Sequence, residues 1–151
     1  MNTPEQEERE RLLPVRTLHH IGFVVQSIAD VAEGFAASIS AIYDGRIIHD
    51  PIQRVHVTFL RHTSAHTTPL VELIAPASPD SPVQSLAAKG GGLHHLCYEV
   101  RSLGECLDAH RSSEDLIVSP PRPAVAFQGR EIAWVFTKQK LLIEYLEQEA
   151  K

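Results

Sequence analysis

Gly90-Gly91-Gly92-Leu93-His94-His95-Leu96-Cys97-Tyr98-Glu99-Val100 decides how this chain is read, because its core occurs twice. Leu18-His19-His20-Ile21-Gly22-Phe23-Val24-Val25 has the same form at an offset of 75 residues (93 − 18). Both copies alternate in the period-two pattern of a strand with one buried face. In the first copy Ile21, Phe23 and Val25 share one side, and His20, Gly22 and Val24 the other. In the second, His95 lies opposite Leu96, Tyr98 and Val100 in the same way. A strand written twice at a fixed spacing points to a duplicated structural unit.

The flanking sequence repeats the plan. Ser27 follows the first strand, Thr17 to Val25, as a helix cap with Asp30 three residues on, and Ile28, Val31, Phe35 and Ile39 form one apolar stripe. Ser102-Leu103-Gly104-Glu105 follows the second strand as an S-x-x-E capping box. It opens a helix with Leu103, Cys106 and Leu107 at i, i+3 and i+4 spacing. In the first half Asp44-Gly45 turns the chain, a short strand is expected over Arg46 to His49, and Val55 to Leu60 and Leu70 to Ile74 read as longer strands. The second half has Leu116 to Val118, stopped by Pro120-Pro121, then Glu131 to Phe136 and Leu141 to Leu146.

Each half therefore reads β-α-β-β-β. Val57 and Phe59 match Ile132 and Trp134 at the offset of 75 (132 − 57), and Glu72 matches Glu144 at 72 (144 − 72). The difference falls in the last hairpin loop, where a change of length costs little. An alternative register sets Glu147 opposite Glu72, but Glu147 follows the apolar run instead of sitting inside it. Between the halves, Ser81-Pro82-Val83-Gln84 reads as a helix start, with Ser81 as cap, Pro82 at the first helical position and Gln84 closing a capping box. Gly90 to Gly92 end that helix and serve as a hinge. They lack the Lys-Ser/Thr that would complete a phosphate loop. The expected organisation is a flexible tail over 1–16, frayed or in a solvated helical turn, and a single domain over 17–151. Within it, module one spans 17–76, the connector helix 77–92 and module two 93–148.

Composition narrows the class. At 151 residues the chain suits one domain, or two small halves sharing a core. No apolar run approaches the ~18–20 residues of a membrane span. A net charge of −5 leaves no basic footprint for nucleic acid. The charged N-terminus lacks an apolar signal core, and Cys97 and Cys106 form no C-x-x-C, so reduced thiols in a cytoplasm are expected.

His20, Glu72, His95 and Glu144 conflict with their setting, since each stands in a strand built largely of apolar residues. If the faces carrying Ile21 and Leu96 pack under the helices, both histidines point to the far side of the sheet. A buried carboxylate without a partner is costly, so Glu72 and Glu144 each require one. One divalent metal ion held by two imidazoles and two carboxylates satisfies all four groups. A lone strand histidine is more often a hydrogen-bonded structural residue. The His–Glu pairing is duplicated, however, 52 residues apart in the first half (72 − 20) and 49 in the second (144 − 95), which favours the metal.

Other residues read less sharply. His19 and His94 point to the opposite face by parity, as structural residues or supports for the ligands. His62 and His66 have the spacing of a helical zinc pair but stand in a Thr-rich loop. Cys97 shares the parity of His95, so it either lines a cavity or is a small buried thiol. Cys106 reads as helix packing, and Trp134 and Phe136 as core or pocket wall.

The paired modules, with a His on strand one and a Glu on strand four, resemble the vicinal oxygen chelate superfamily, which includes glyoxalase I, bleomycin-resistance proteins and ring-cleaving dioxygenases. Val71-Glu72-Leu73-Ile74-Ala75-Pro76, Lys89-Gly90-Gly91-Gly92-Leu93-His94-His95 and Leu142-Ile143-Glu144 resemble methylmalonyl-CoA epimerases more particularly. The resemblance covers Leu18 to Gln148. It implies an α+β fold of two tandem β-α-β-β-β modules forming an open, cupped barrel, with His20, Glu72, His95 and Glu144 as ligands of cobalt, manganese, nickel or zinc. It also implies a homodimer acting on a small-molecule substrate, an acyl-CoA being one candidate. The chemistry is proton transfer beside a carbonyl, assisted by the metal as a Lewis acid. Glu144 is the first candidate for moving the proton and Glu72 the second, with His56 considered for the opposite face. A glyoxalase-type lyase and a non-catalytic binding protein on the same fold are the alternatives. Two segments depart from the epimerases: Pro123 to Arg130 replaces a Gly-Ala-His-Gly-like stretch, and Phe136 to Lys140 replaces a His-Pro-Lys hairpin.

Overall fold

The computed structural model describes residues 1–63 and 69–150. Its first half runs α1 (Pro4–Leu12), β1 (Thr17–Val24), α2 (Ile28–Ser38), β2 (Ala41–Ile42), β3 (Ile48–Asp50), β4 (Val55–His62) and β5 (Leu70–Pro76). The second runs α3 (Gln84–Ala88), β6 (Gly92–Val100), α4 (Leu103–Ser112), β7 (Leu116–Pro123), a 3-10 turn (Val125–Phe127), β8 (Glu131–Phe136) and β9 (Leu142–Glu147). The two copies of the repeated strand, β1 and β6, pair antiparallel at the middle of the sheet. Each then takes the last strand of its own half in parallel, β5 beside β1 and β9 beside β6. The resulting order, β2-β4-β5-β1-β6-β9-β8-β7 with β3 also on β4, is an open sheet of two like halves that cups one space. No helix among the described residues is long and apolar enough to cross a membrane.

Both longer helices cover the convex face. α2 sets Ile28, Ala32 and Ala36 against Leu60, Val71, Leu73 and Ala75, while α4 sets Leu103, Cys106 and Leu107 against Val100, Val135, Ile143 and Tyr145. The stripe of Val31, Phe35 and Ile39 expected for α2 flanks that contact half-buried, because the small Ala32 and Ala36 occupy its centre. Ser27 and Ser102 cap as read, their Oγ atoms accepting the N–H of Asp30 at 3.3 Å and of Glu105 at 3.2 Å. Glu147 Oε1 accepts the Leu103 N–H at 3.0 Å, so Glu147 serves α4. Glu144, an odd number of residues away, faces the other side of the sheet.

Three local readings change. Ser81 does not cap α3: its carbonyl accepts the Gln84 N–H at 3.1 Å, and a turn with Pro82 at its second position precedes the helix. β7 continues through Pro120 and Pro121 to Pro123 where a stop was expected. Proline lacks the N–H of a ladder, and β7 tolerates it as an edge strand with register shifts on either side of Ser119. Residues 4–12, expected as tail or solvated turn, form a nine-residue helix closed by a Thr3–Gln6 capping box, with none of its side chains buried. Of the H-x-x-x-H pair, His66 lies outside the described residues.

The glycine run ends α3 with Gly91 at φ +79°, its N–H on the Leu86 carbonyl at 2.9 Å. A Cβ there would collide with the carbonyl oxygen of Val24, so the joint between the halves admits only glycine. Gly91→Ala should therefore cost about 1–3 kcal/mol of stability in urea unfolding, and an unchanged midpoint would contradict this packing.

Candidate metal centre

Directly paired residues on neighbouring strands present their side chains to the same face. Gly22 of β1 pairs with Glu72 of β5 on one side and His95 of β6 on the other. Cys97 of β6 pairs with Glu144 of β9 and His20 of β1. Two rows, Glu72–Gly22–His95 and Glu144–Cys97–His20, thus cross the middle of the sheet. The duplication sets the small residues Gly22 and Cys97 at equivalent positions. Each leaves room for a larger neighbour: a Cβ on Gly22 would meet the ring of His95. Phe59 extends the first row beyond Glu72, and Trp134 the second beyond Glu144.

The four polar side chains meet where the rows converge, each residue between 0 % and 5 % exposed. His20 Nε2 lies 3.2 Å from Glu72 Oε2 and 3.1 Å from Glu144 Oε2. His95 Nε2 lies 3.3 and 3.4 Å from the same two oxygens. The two Nε2 atoms are 3.1 Å apart. In a tetrahedron, donor–donor edges of this length place each donor about 2 Å from the centre, the length of a metal–imidazole or metal–carboxylate bond. Two further observations fit a cation. Glu144 Oε2 is buried without a hydrogen-bond partner. Two ring nitrogens facing each other at 3.1 Å leave room for at most one proton between them. Two neutral imidazoles and two carboxylates would also balance a divalent charge.

The electrostatics follow from this crowding. Burial alone would raise both carboxyl groups, yet the facing His20 and His95 rings outweigh it and hold Glu72 and Glu144 below the usual carboxylate range. Burial likewise opposes charge on His20 and His95, but the carboxylates, with Cys97 at His20, push both rings up. His19 and His94 move the other way. Burial and then the neighbouring ring lower them, His94 to about 4, so both are neutral near pH 7.

Parity misplaces those two histidines. The pairing skips from Leu18–Tyr98 to His20–Cys97 and from Gly22–His95 to Phe23–Leu93, so His19 and His94 are each the extra residue of a bulge. The bulges turn their rings onto the ligand side, with Nδ1···Nδ1 contacts of 2.8 Å from His19 to His20 and 2.9 Å from His94 to His95. Edge-on aromatic contacts hold the central rings, Phe59 on His20 at 5.5 Å and Trp134 on His95 at 4.7 Å.

The cluster floors a cavity of about 450 Å³, to which Glu72, His95 and Glu144 contribute directly. Val55, Val57 and Ile74 wall it from one half, Ile132, Trp134 and Leu142 from the other. Arg54 and Arg122 also line it. His56 does not: Val55 and Val57 on either side of it face the cavity, and its ring packs on His49 at 5.0 Å. The opposite-face role considered for His56 is therefore set aside. Cys97 is the buried small thiol, packed with Ala124, Ile132 and Leu146, and burial pushes its thiol up. Trp134 is pocket wall, as one of its readings had it.

Two residues went unread in the sequence. Phe127 stacks on His20 at 5.8 Å from the 3-10 turn. Asp50 is buried in the cavity wall and accepts N–H groups from Ile52 and Gln53 at 2.9 Å and from Val125 at 3.4 Å. For Asp50 the signal was Asp50-Pro51, an Asx turn; no local pattern marks Phe127.

The model of the Glyoxalase/Bleomycin resistance protein/Dioxygenase superfamily matches residues 19–134. The chain is 32 % identical over 136 residues to the uncharacterized protein YqjC of Bacillus subtilis (strain 168), covering 86 % of this chain and 91 % of that one. It is 24 % identical over 123 residues to an ethylmalonyl-CoA/methylmalonyl-CoA epimerase of Cereibacter sphaeroides, covering 80 % and 88 %. The crystal structure of methylmalonyl-CoA epimerase from Mycobacterium tuberculosis shares the fold at a TM-score of 0.72 and 21 % identity, covering 93 % of this chain and 96 % of that one. The family match takes in the repeated strands, the glycine joint and three of the four converging donors, and on that ground the chain belongs to the glyoxalase/bleomycin resistance/dioxygenase (vicinal oxygen chelate) superfamily.

Proposed function

We propose that this protein is a metal-dependent isomerase that moves a proton on the carbon beside a carbonyl, with an acyl thioester of the methylmalonyl-CoA type as substrate. The observation that carries this reading is the convergence of two imidazoles and two carboxylates at the floor of a largely apolar cavity. The substrate class follows the named activity of the Cereibacter relative. His20, Glu72, His95 and Glu144 would hold the ion, and their nitrogen and oxygen donors suit cobalt, manganese, nickel or zinc. When bound, the ion supplies Lewis-acid charge beside the carbonyl and lowers the barrier to loss of the α-proton.

The protein supplies the rest. Glu144 is the foremost candidate for the base, as a buried carboxylate at the cavity floor whose second oxygen stays free when Oε2 serves the ion. Glu72 approaches the same point from the other half of the sheet and stands second. The apolar walls lower the polarity around the reacting carbon, which strengthens the attraction between the developing enolate charge and the groups at the cavity floor. Phe59, Phe127 and Trp134 hold the imidazoles against rotation. A glyoxalase-type lyase would use the same donors on a thiohemiacetal, and a binding protein would need no base.

In deuterium oxide the metal-loaded protein should exchange the α-proton of methylmalonyl-CoA, lose this activity with EDTA and regain it with one equivalent of cobalt. Bound metal without exchange would discard the substrate, and exchange indifferent to EDTA would discard the metal. Glu144→Gln, whose amide oxygen remains a neutral donor, should lower kcat by about 100-fold or more when assayed at cobalt concentrations that saturate the variant. Unchanged turnover would remove Glu144 from the chemistry. Gly22→Ala should displace His95 and bring metal content well below one equivalent per chain; full loading would contradict the row geometry.

A further inference from the structure

We propose that His19 and His94 are positioning residues that select the tautomer of His20 and His95, each accepting the Nδ1 hydrogen of the histidine that follows it. The inference rests on the metal reading of the cluster and adds residues to it. A residue next to a ligand in a regular strand points to the opposite face and has no access to the ligand ring. Here two bulges, one in each copy of the repeated strand, place the extra residue so that adjacent rings meet through Nδ1 atoms 2.8 and 2.9 Å apart. Contacts this short require one hydrogen between the two nitrogens. A neutral imidazole carries a single N–H. If His20 and His95 present Nε2 lone pairs to the centre, each must carry its hydrogen on Nδ1, and His19 and His94 must then accept through theirs. Their own hydrogens consequently lie on Nε2.

The supporting rings are themselves held. Phe127 meets His19 edge-on at 5.4 Å, and Trp134 meets His94 at 6.0 Å. The arrangement is made twice, from both halves, around one centre, which a packing accident would not produce. A partner on the far nitrogen fixes ring orientation and raises the basicity of the metal-facing nitrogen, and losing such a partner costs about 10- to 100-fold in metal affinity.

The test is cobalt affinity of the intact chain, measured by competition with a chromophoric chelator. His19→Leu and His94→Leu should each weaken binding by about 10- to 100-fold. His19→Asn, whose amide oxygen can still accept, should recover much of that loss. Variants that bind cobalt as the wild type does would overturn the positioning role alone. A wild type that takes up no cobalt would overturn the reading of the centre itself. Should the variants fail to fold, long-range nitrogen–proton NMR on the zinc-loaded wild type decides. Nδ1–H on His20 and His95 with Nε2–H on His19 and His94 is expected, and any other pattern overturns the proposal.

Discussion

Two carboxylates and two imidazoles crowd into one buried space where β1 meets β6, and removing an ionised carboxylate from water costs several kcal/mol unless charge and hydrogen bonds offset it. Much of the surrounding structure serves that offset. Gly22 and Cys97 keep the middle of each row small enough for a large neighbour, and Glu72 and Glu144 reach inward from strands β5 and β9. Like charges brought this close repel unless a positive charge stands between them. Protons on the histidines can supply it, yet the facing Nε2 atoms and the unsatisfied Glu144 oxygen suit a metal ion better.

Much of this was written in the sequence because it depends on local periodicity and on repetition. Strand parity separates the helix-facing residues Phe23 and Tyr98 from His20 and His95, and the repeat pairs Glu72 with Glu144. What escaped reading depends on partners far along the chain. A bulge is a relation between two strands, so parity alone sent His19 and His94 to the wrong face. Whether a proline ends a strand depends on its place in the sheet, and no local feature of Leu116 to Pro123 announces an edge. Asp50 accepts from Val125 across 75 residues, a bond invisible to any short window.

The segment that departs from the epimerases forms part of the cavity. Ala124, Ala126 and Phe127 line it, and Phe127 also lies over His20. Side chains therefore occupy wall positions where the resembling family carries a glycine-rich stretch. Under the proposed chemistry, the shape of the acyl group is read by this wall, while the four donors set the reaction type. The duplicated strands thus account for the fold and for the four converging donors, and Ala124, Ala126 and Phe127 form a part of the cavity wall that the repeat does not dictate.

Anomalous diffraction from crystals grown with cobalt or zinc, recorded on both sides of the absorption edge, addresses the centre directly. One peak per chain is expected among His20 Nε2, His95 Nε2, Glu72 and Glu144, about 2 Å from each donor. A cluster whose crystals show no peak there, with the histidines and carboxylates held by hydrogen bonds alone, would contradict the metal and leave a buried ion-pair network in its place.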